Sequence, residues 1–180
     1  MTDKTYYKNQ FLEKYTEFLG QIKVMYPKTD SDVHVRVLAL EKLSDDDKIK
    51  QGIKFNLAIS KNTNHKNSLL KRKIRLFSSK NNDTKSISYA LLNNIPLKKL
   101  LNGNISISSK NIIWEFIQLL YVFSELSSKP KEEVNKQIVK EILKCVEDSH
   151  EKKESVNNVS SENKDNKDNK DNKDNKDNKD

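Results

Sequence analysis

The sequence predicts an all-α protein: an irregular bundle of six or seven helices around one buried hydrophobic helix, with a disordered C-terminal tail. Three observations predict it. Apolar side chains recur every three or four residues through most of the first 150 positions, which is the helical period. The stretch Ile112 to Leu126 is apolar nearly all round, the mark of a helix packed on several sides. From Asn163 to Asp180 the chain is six consecutive Asn-Lys-Asp triplets without one apolar residue. Such a repeat has no face to bury and nothing to offset the entropy of ordering. A length of 180 residues suffices for one domain with a real core. The expected division is a helical domain at 1–150 and a low-complexity tail at 151–180.

The first helix is expected from about Thr5 to Tyr26. Phe11, Tyr15, Phe18, Leu19, Ile22 and Tyr26 form its apolar stripe, and Pro27 ends it. Thr29 to Asp32 is a cap cluster before a second helix carrying Val33, Val37 and Leu40; the alternation of Val33, Val35 and Val37 would equally suit a short strand. Ser44-Asp45-Asp46-Asp47 is a capping sequence with three acids in the first turn. The helix it starts is expected to bury Ile49, Ile53 and Leu57, with Phe55 and Ile59 flanking.

Lys61 to Asn67 reads as a polar connector. Leu69, Leu70, Ile74 and Phe77 then suggest a short amphipathic segment whose other face is Lys71, Arg72, Lys73 and Arg75. Ser78 to Ser86 is loop-like. Ile87, Ala90, Leu91 and Ile95 suggest another short helix ended by Pro96, and Leu97 to Leu101 one more, capped by Gly103. Lys129-Pro130 ends the central helix. The last helix is expected over about Lys131 to Asp148, with Val134, Ile138, Ile142 and Cys145 on one stripe and Glu132 and Glu133 in its first turn.

The formal charge of +8 is unevenly placed. Lys61 to Lys110 holds eleven basic residues and one acid, Asp83, whereas every other part of the chain is close to balance. Concentrated positive charge attracts phosphates and releases their counterions. The tentative nucleic-acid-binding residues are therefore Lys66, Lys71, Arg72, Lys73, Arg75 and Lys80. Arginine is scarce, at 3 residues against 31 lysines, and arginine is the usual reader of guanine edges. Phe77 and Tyr89 are the only aromatics near the basic residues. Weak binding without sequence preference is the form of nucleic-acid association these residues suit.

Catalytic and metal chemistry have little to build on. His34, His65 and His150 lie in separate segments, none with a second histidine or cysteine at ligand spacing. Cys145 falls on an apolar stripe, where a thiol behaves as a small hydrophobe. Consecutive acids at Asp45 to Asp47 point in different directions on a helix, so capping accounts for them better than a metal site. The three glycines are isolated, and no phosphate-cradling loop or nucleophile elbow occurs. Trp114 suits the core or a subunit contact. The expectation is a protein that is not an enzyme and uses no cofactor and no metal. A single cysteine and an N-terminus without an apolar run fit an intracellular, non-secreted chain, and no stretch reaches the roughly twenty apolar residues of a membrane span.

Three segments together resemble a known group. They are the helix from Phe11 to Tyr26-Pro27; Lys73-Ile74-Arg75-Leu76-Phe77; and Ile95-Pro96-Leu97-Lys98-Lys99-Leu100-Leu101 leading into Ile112-Ile113-Trp114-Glu115-Phe116-Ile117-Gln118-Leu119-Leu120-Tyr121. Their order is similar to that in small helical proteins of unknown function from nucleocytoplasmic large DNA viruses of the giant amoebal type. The resemblance covers roughly residues 8 to 126. It implies a viral interaction or structural protein located in host cytoplasm or virion. The expected partner is another protein or a second copy, with nucleic-acid association through residues 61–110 as the alternative.

Overall fold

In the computed structural model, residues 4–27, 31–78 and 87–159 are described. The chain divides into two units, Met1–Val146 and Glu147–Asp180. All regular structure among the described residues is helical. The elements are α1 (Lys4–Met25), α2 (Ser31–Glu41), α3 (Asp45–Ser60), α4 (Thr63–Leu70), a 3₁₀ turn at Ile74–Phe77, α5 (Leu97–Asn102), α6 (Ile107–Ser128) and α7 (Lys136–Val159). One further helical turn lies at 87–90. The loop expected at Ser78 to Ser86 falls largely outside the described residues, and so does the Asn-Lys-Asp repeat.

Helix α6 is the centre of the first unit. It packs against α1, α3 and α5, while α2 packs on α1. Its eleven buried residues include Ile113, Ile117, Leu120 and Tyr121 on more than one side of the helix, which explains the nearly continuous apolar sequence. Ser106 starts it by accepting from the Ser109 amide at 3.0 Å, a full turn before the apolar run. Facing it, α1 buries Phe11, Tyr15, Phe18, Leu19 and Ile22, the expected stripe. Phe18 stacks on Phe116 with ring centroids 5.3 Å apart.

At α2 the helical alternative holds. Val33, Val37 and Leu40 are buried while Val35 is 63% exposed, which is the 3.6-residue period and not a strand's alternation. The cap of α3 forms at Ser44, whose Oγ accepts from the Asp47 amide at 3.2 Å and donates to the Asp47 carboxylate at 2.8 Å. The Ser44 hydroxyl, followed by Lys50, holds the Asp47 carboxyl below the usual carboxylate range.

Four expectations need correction. First, α3 does not bury Ile49, Ile53 and Leu57 as its main face; it buries Gln51, Gly52, Phe55, Asn56 and Ile59. Gly52 suits this face, because an added Cβ there would lie 2.5 Å from the Phe11 ring of α1. Second, residues 63–70 are α4 and not a connector, capped by Asn62, whose side chain accepts from the Asn64 amide at 2.8 Å. Third, Leu69 to Phe77 is not one continuous amphipathic segment, because Arg72 has φ of 50° and turns the chain, and Ile74, expected on the apolar face, is exposed. Fourth, Ile87 to Ile95 is helical only at 87–90, although Ile87, Leu91, Leu92 and Ile95 are all buried. Gly103 does end α5, through closeness and not handedness: a Cβ there would meet the Tyr26 hydroxyl, which donates to the Leu100 carbonyl at 2.5 Å.

The last helix starts later than expected. Residues 131–133 form a turn, and α7 begins at Lys136, where Asn135 Oδ1 accepts from the Ile138 amide at 3.2 Å. Asn135 therefore caps the helix, and Glu132 and Glu133, expected in its first turn, lie before its start. Within the first unit, Ile138, Val139, Ile142 and Val146 are buried and Cys145 is half-buried. The second unit, as far as it is described, is helical from Glu147 to Val159.

Candidate nucleic-acid interface

The six basic residues singled out in the sequence do not share one fate. Lys66 is half-buried on α4, Lys71, Lys73 and Arg75 are exposed, and Lys80 lies outside the described residues. Arg72 is structural. It occupies the left-handed position just past α4, where glycine is usual. The Arg72 amide donates to the Leu69 carbonyl at 3.2 Å and the Lys73 amide to the Ser68 carbonyl at 2.8 Å, the paired bonds of a Schellman ending. Its Nε donates to Gln118 Oε1 at 3.1 Å. Gln118, fully buried on α6, donates in turn to the Leu69 and Leu70 carbonyls at 3.1 and 3.3 Å. The last carbonyls of α4 are thus satisfied, and an arginine pays the steric cost of the left-handed turn.

Lys71, Lys73 and Arg75 consequently project from a tight turn and a short 3₁₀ segment, anchored beneath by Leu76 and Phe77. Phe77 is buried and stacks on Trp114 with centroids 5.4 Å apart, so both rings belong to the core. That placement leaves Tyr89, 38% exposed, as the aromatic that can face a ligand beside the basic segment.

Several cations elsewhere in the chain are paired. Lys14 meets Glu17, Lys23 meets Glu41, Lys50 meets Asp47, and Lys129 meets Glu125, at 2.7, 2.5, 3.1 and 2.9 Å. Arg36 and Lys99 converge on Asp32 at 2.8 and 3.1 Å, and the Arg36 bond, then Lys99, pulls the Asp32 carboxyl below its ordinary range. Lys61, Lys66, Lys71, Lys73 and Arg75 make no salt bridge among the described residues. Their field is uncompensated locally.

Sequence reading missed a second feature. An open groove of about 420 Å³ is lined by Lys54, Leu57 and Ala58 of α3, by Lys61 at its C-cap, and by Tyr89, Ala90 and Asn93. The first four sit at i, i+3, i+4 and i+7, one helical face, on the side away from Gly52 and Phe55. Leu57 is 51% exposed there. The spacing of these residues carries the signal, although the apolar pattern alone places Leu57 on the buried stripe. His65 borders the groove, its Nδ1 3.4 Å from the Ala58 carbonyl.

Three buried titratable groups are bound up in packing: Glu125, Tyr121 and Tyr15. Glu125 is fully buried; its carboxylate accepts from Asn56 Nδ2 at 2.6 Å, the Asn135 amide at 3.0 Å and Lys129 Nζ at 3.0 Å. Ser60 Oγ lies 3.4 Å from the Tyr121 hydroxyl, whose pKa burial pushes up to about 12. Tyr15 donates to Gln51 Oε1 at 2.8 Å, and burial raises its pKa as well. Among the described residues, no group of three or more His, Cys, Asp or Glu is placed to hold a metal ion. Nor is any described helix long and apolar enough to cross a membrane.

Comparison of the chain with protein-family models, curated proteins and solved structures gives no match.

Proposed function

We propose that this chain is a non-enzymatic interaction protein whose partner is nucleic acid, held through phosphates by the basic surface that follows α4. The observation that carries the reading is the local charge imbalance. Lys71, Lys73 and Arg75 stand exposed within five residues on a turn anchored to the core, make no salt bridge among the described residues, and lie in a stretch, Lys61 to Lys110, whose eleven basic residues face one acid. Cations fixed in this way gain from releasing the counterions of a phosphate backbone. The non-enzymatic part is supported by the employment of Glu125, Gln118, Tyr15 and Tyr121 in buried hydrogen bonds that join helices. The resemblance of the Ile112–Tyr121 helix to proteins of large DNA viruses adds a setting to the proposal, host cytoplasm or virion.

A protein partner or self-association is the second reading. Val35 and Leu38, one turn apart on the outer face of α2, are both exposed. Paired apolar side chains on one face are a common element of protein contacts.

The test of the first reading is a binding titration against DNA at low salt, with the wild type and the Lys71→Gln/Lys73→Gln/Arg75→Gln variant. Affinity is expected to fall about tenfold or more in the variant, with its thermal unfolding unchanged. Absence of wild-type binding at low salt overturns the reading, and equal binding by both proteins removes this surface from it.

A further inference from the structure

We infer that the groove between α3 and residues 89–93 receives an unstacked base of single-stranded nucleic acid, with Lys54 and Lys61 holding the phosphates on either side. This rests on the nucleic-acid reading above, and it adds a ligand class and a site. The groove has the required order of chemistry. Its lining includes Leu57, Ala58, Ala90 and Tyr89, and Leu57 and Ala58 lie between Lys54 and Lys61 along the helix. Its two cations are seven residues apart on one helix face, which separates them by roughly 10 Å along the axis. An apolar strip between two cations complements a flat base between two anions. A fully apolar ligand would leave both lysines unused, and a bare polyanion would leave Tyr89 and Leu57 unused. Asn93 supplies an amide able to donate to and accept from a base edge.

The volume also discriminates. About 420 Å³ lies in the range of sites for small ligands and bases, while a duplex keeps its bases stacked and out of reach. Stacking on an aromatic side chain tolerates any base, because every base has a π-face. That fits a chain poor in arginine, whose binding surface lacks the usual means of reading sequence.

The experiment compares three probes on the full chain: an oligothymidylate, a blunt duplex of the same length, and heparin, which has charge but no bases. Tyr89→Ala is expected to weaken oligothymidylate binding by about 5- to 100-fold and to leave duplex and heparin unchanged. Tyr89→Phe, which keeps the ring, is expected to bind as the wild type. The Lys54→Gln/Lys61→Gln variant alters exposed side chains only and is expected to lose more affinity for oligothymidylate than for duplex. If Tyr89→Ala leaves oligothymidylate binding intact, or weakens all three probes equally, the groove is not a base site, although the basic surface stands. If the wild type binds neither nucleic acid at low salt, the parent reading fails and this inference fails with it.

Discussion

Gly52 shows how one missing side chain sets a contact between helices. Alanine is the better helix former by about 1 kcal/mol in a free helix. Here the added Cβ would lie 2.5 Å from the Phe11 ring and 2.6 Å from Ser124 Oγ, both in the packed interior. Overpacking of that kind costs typically about 1–3 kcal/mol, so the clash outweighs the propensity gain. Gly52→Ala is expected to lower stability in urea unfolding, where a neutral position would raise it. The buried tyrosines give a pH-dependent counterpart. Tyr121 has its pKa raised to about 12 in the folded chain, against 10 when exposed. Its contribution is therefore complete below pH 10 and lost as pH rises toward 12, because the unfolded chain ionises first. Two units correspond to about 3 kcal/mol. Thermal melts from pH 9 to 12 are expected to show this decline, and Tyr121→Phe, which has no proton to lose, to show a smaller one.

Gln118 links two elements and carries a prediction of its own. It donates to the Leu69 and Leu70 carbonyls at the end of α4 and accepts from Arg72 Nε. Gln118→Leu roughly keeps the volume but takes the Gln118 donor from the Leu70 carbonyl, while the Leu69 carbonyl keeps the Arg72 amide; losing such a bond at a part-buried group costs about 1–3 kcal/mol. Because Arg72 holds a left-handed turn, loosening there is also expected to blur the Lys71–Arg75 surface. Faster amide hydrogen exchange at Lys71 to Lys73 in the variant, with α1 unaffected, is the measurement that checks it.

The same elements show what could be read from sequence. The α1 stripe, the α2 helix, the Ser44 cap and the central α6 were legible because apolar period and cap chemistry agree there. The α3 face was not, because a glycine and an asparagine fill the buried positions. Asn56 is buried only because Glu125, 69 positions later, accepts its amide at 2.6 Å. Local rules cannot supply such a partner. Nor could composition separate Arg72 from its neighbours; only the left-handed backbone and the Gln118 bond show it to be part of the fold. Of the groove, Tyr89 is legible in the sequence as an aromatic near the basic residues, while Lys54 and Leu57 depend on which side of α3 faces out.

Packing in the first unit centres on α6, and the chain's surplus of positive charge lies in residues 61–110, densest just after α4. The net charge of +8 alone would favour loose attraction to any polyanion. What distinguishes the account is that a few fixed cations, on a turn braced by Arg72 and Gln118, carry the attraction. The measurement that tests this most directly is the slope of log binding constant against log salt, for wild type and for the Lys71→Gln/Lys73→Gln/Arg75→Gln variant on the same DNA. The account predicts steep weakening of the wild type with salt and a slope shallower by roughly two to three in the variant, about one per lost phosphate contact. Identical slopes for the two proteins, or binding indifferent to salt, would contradict it.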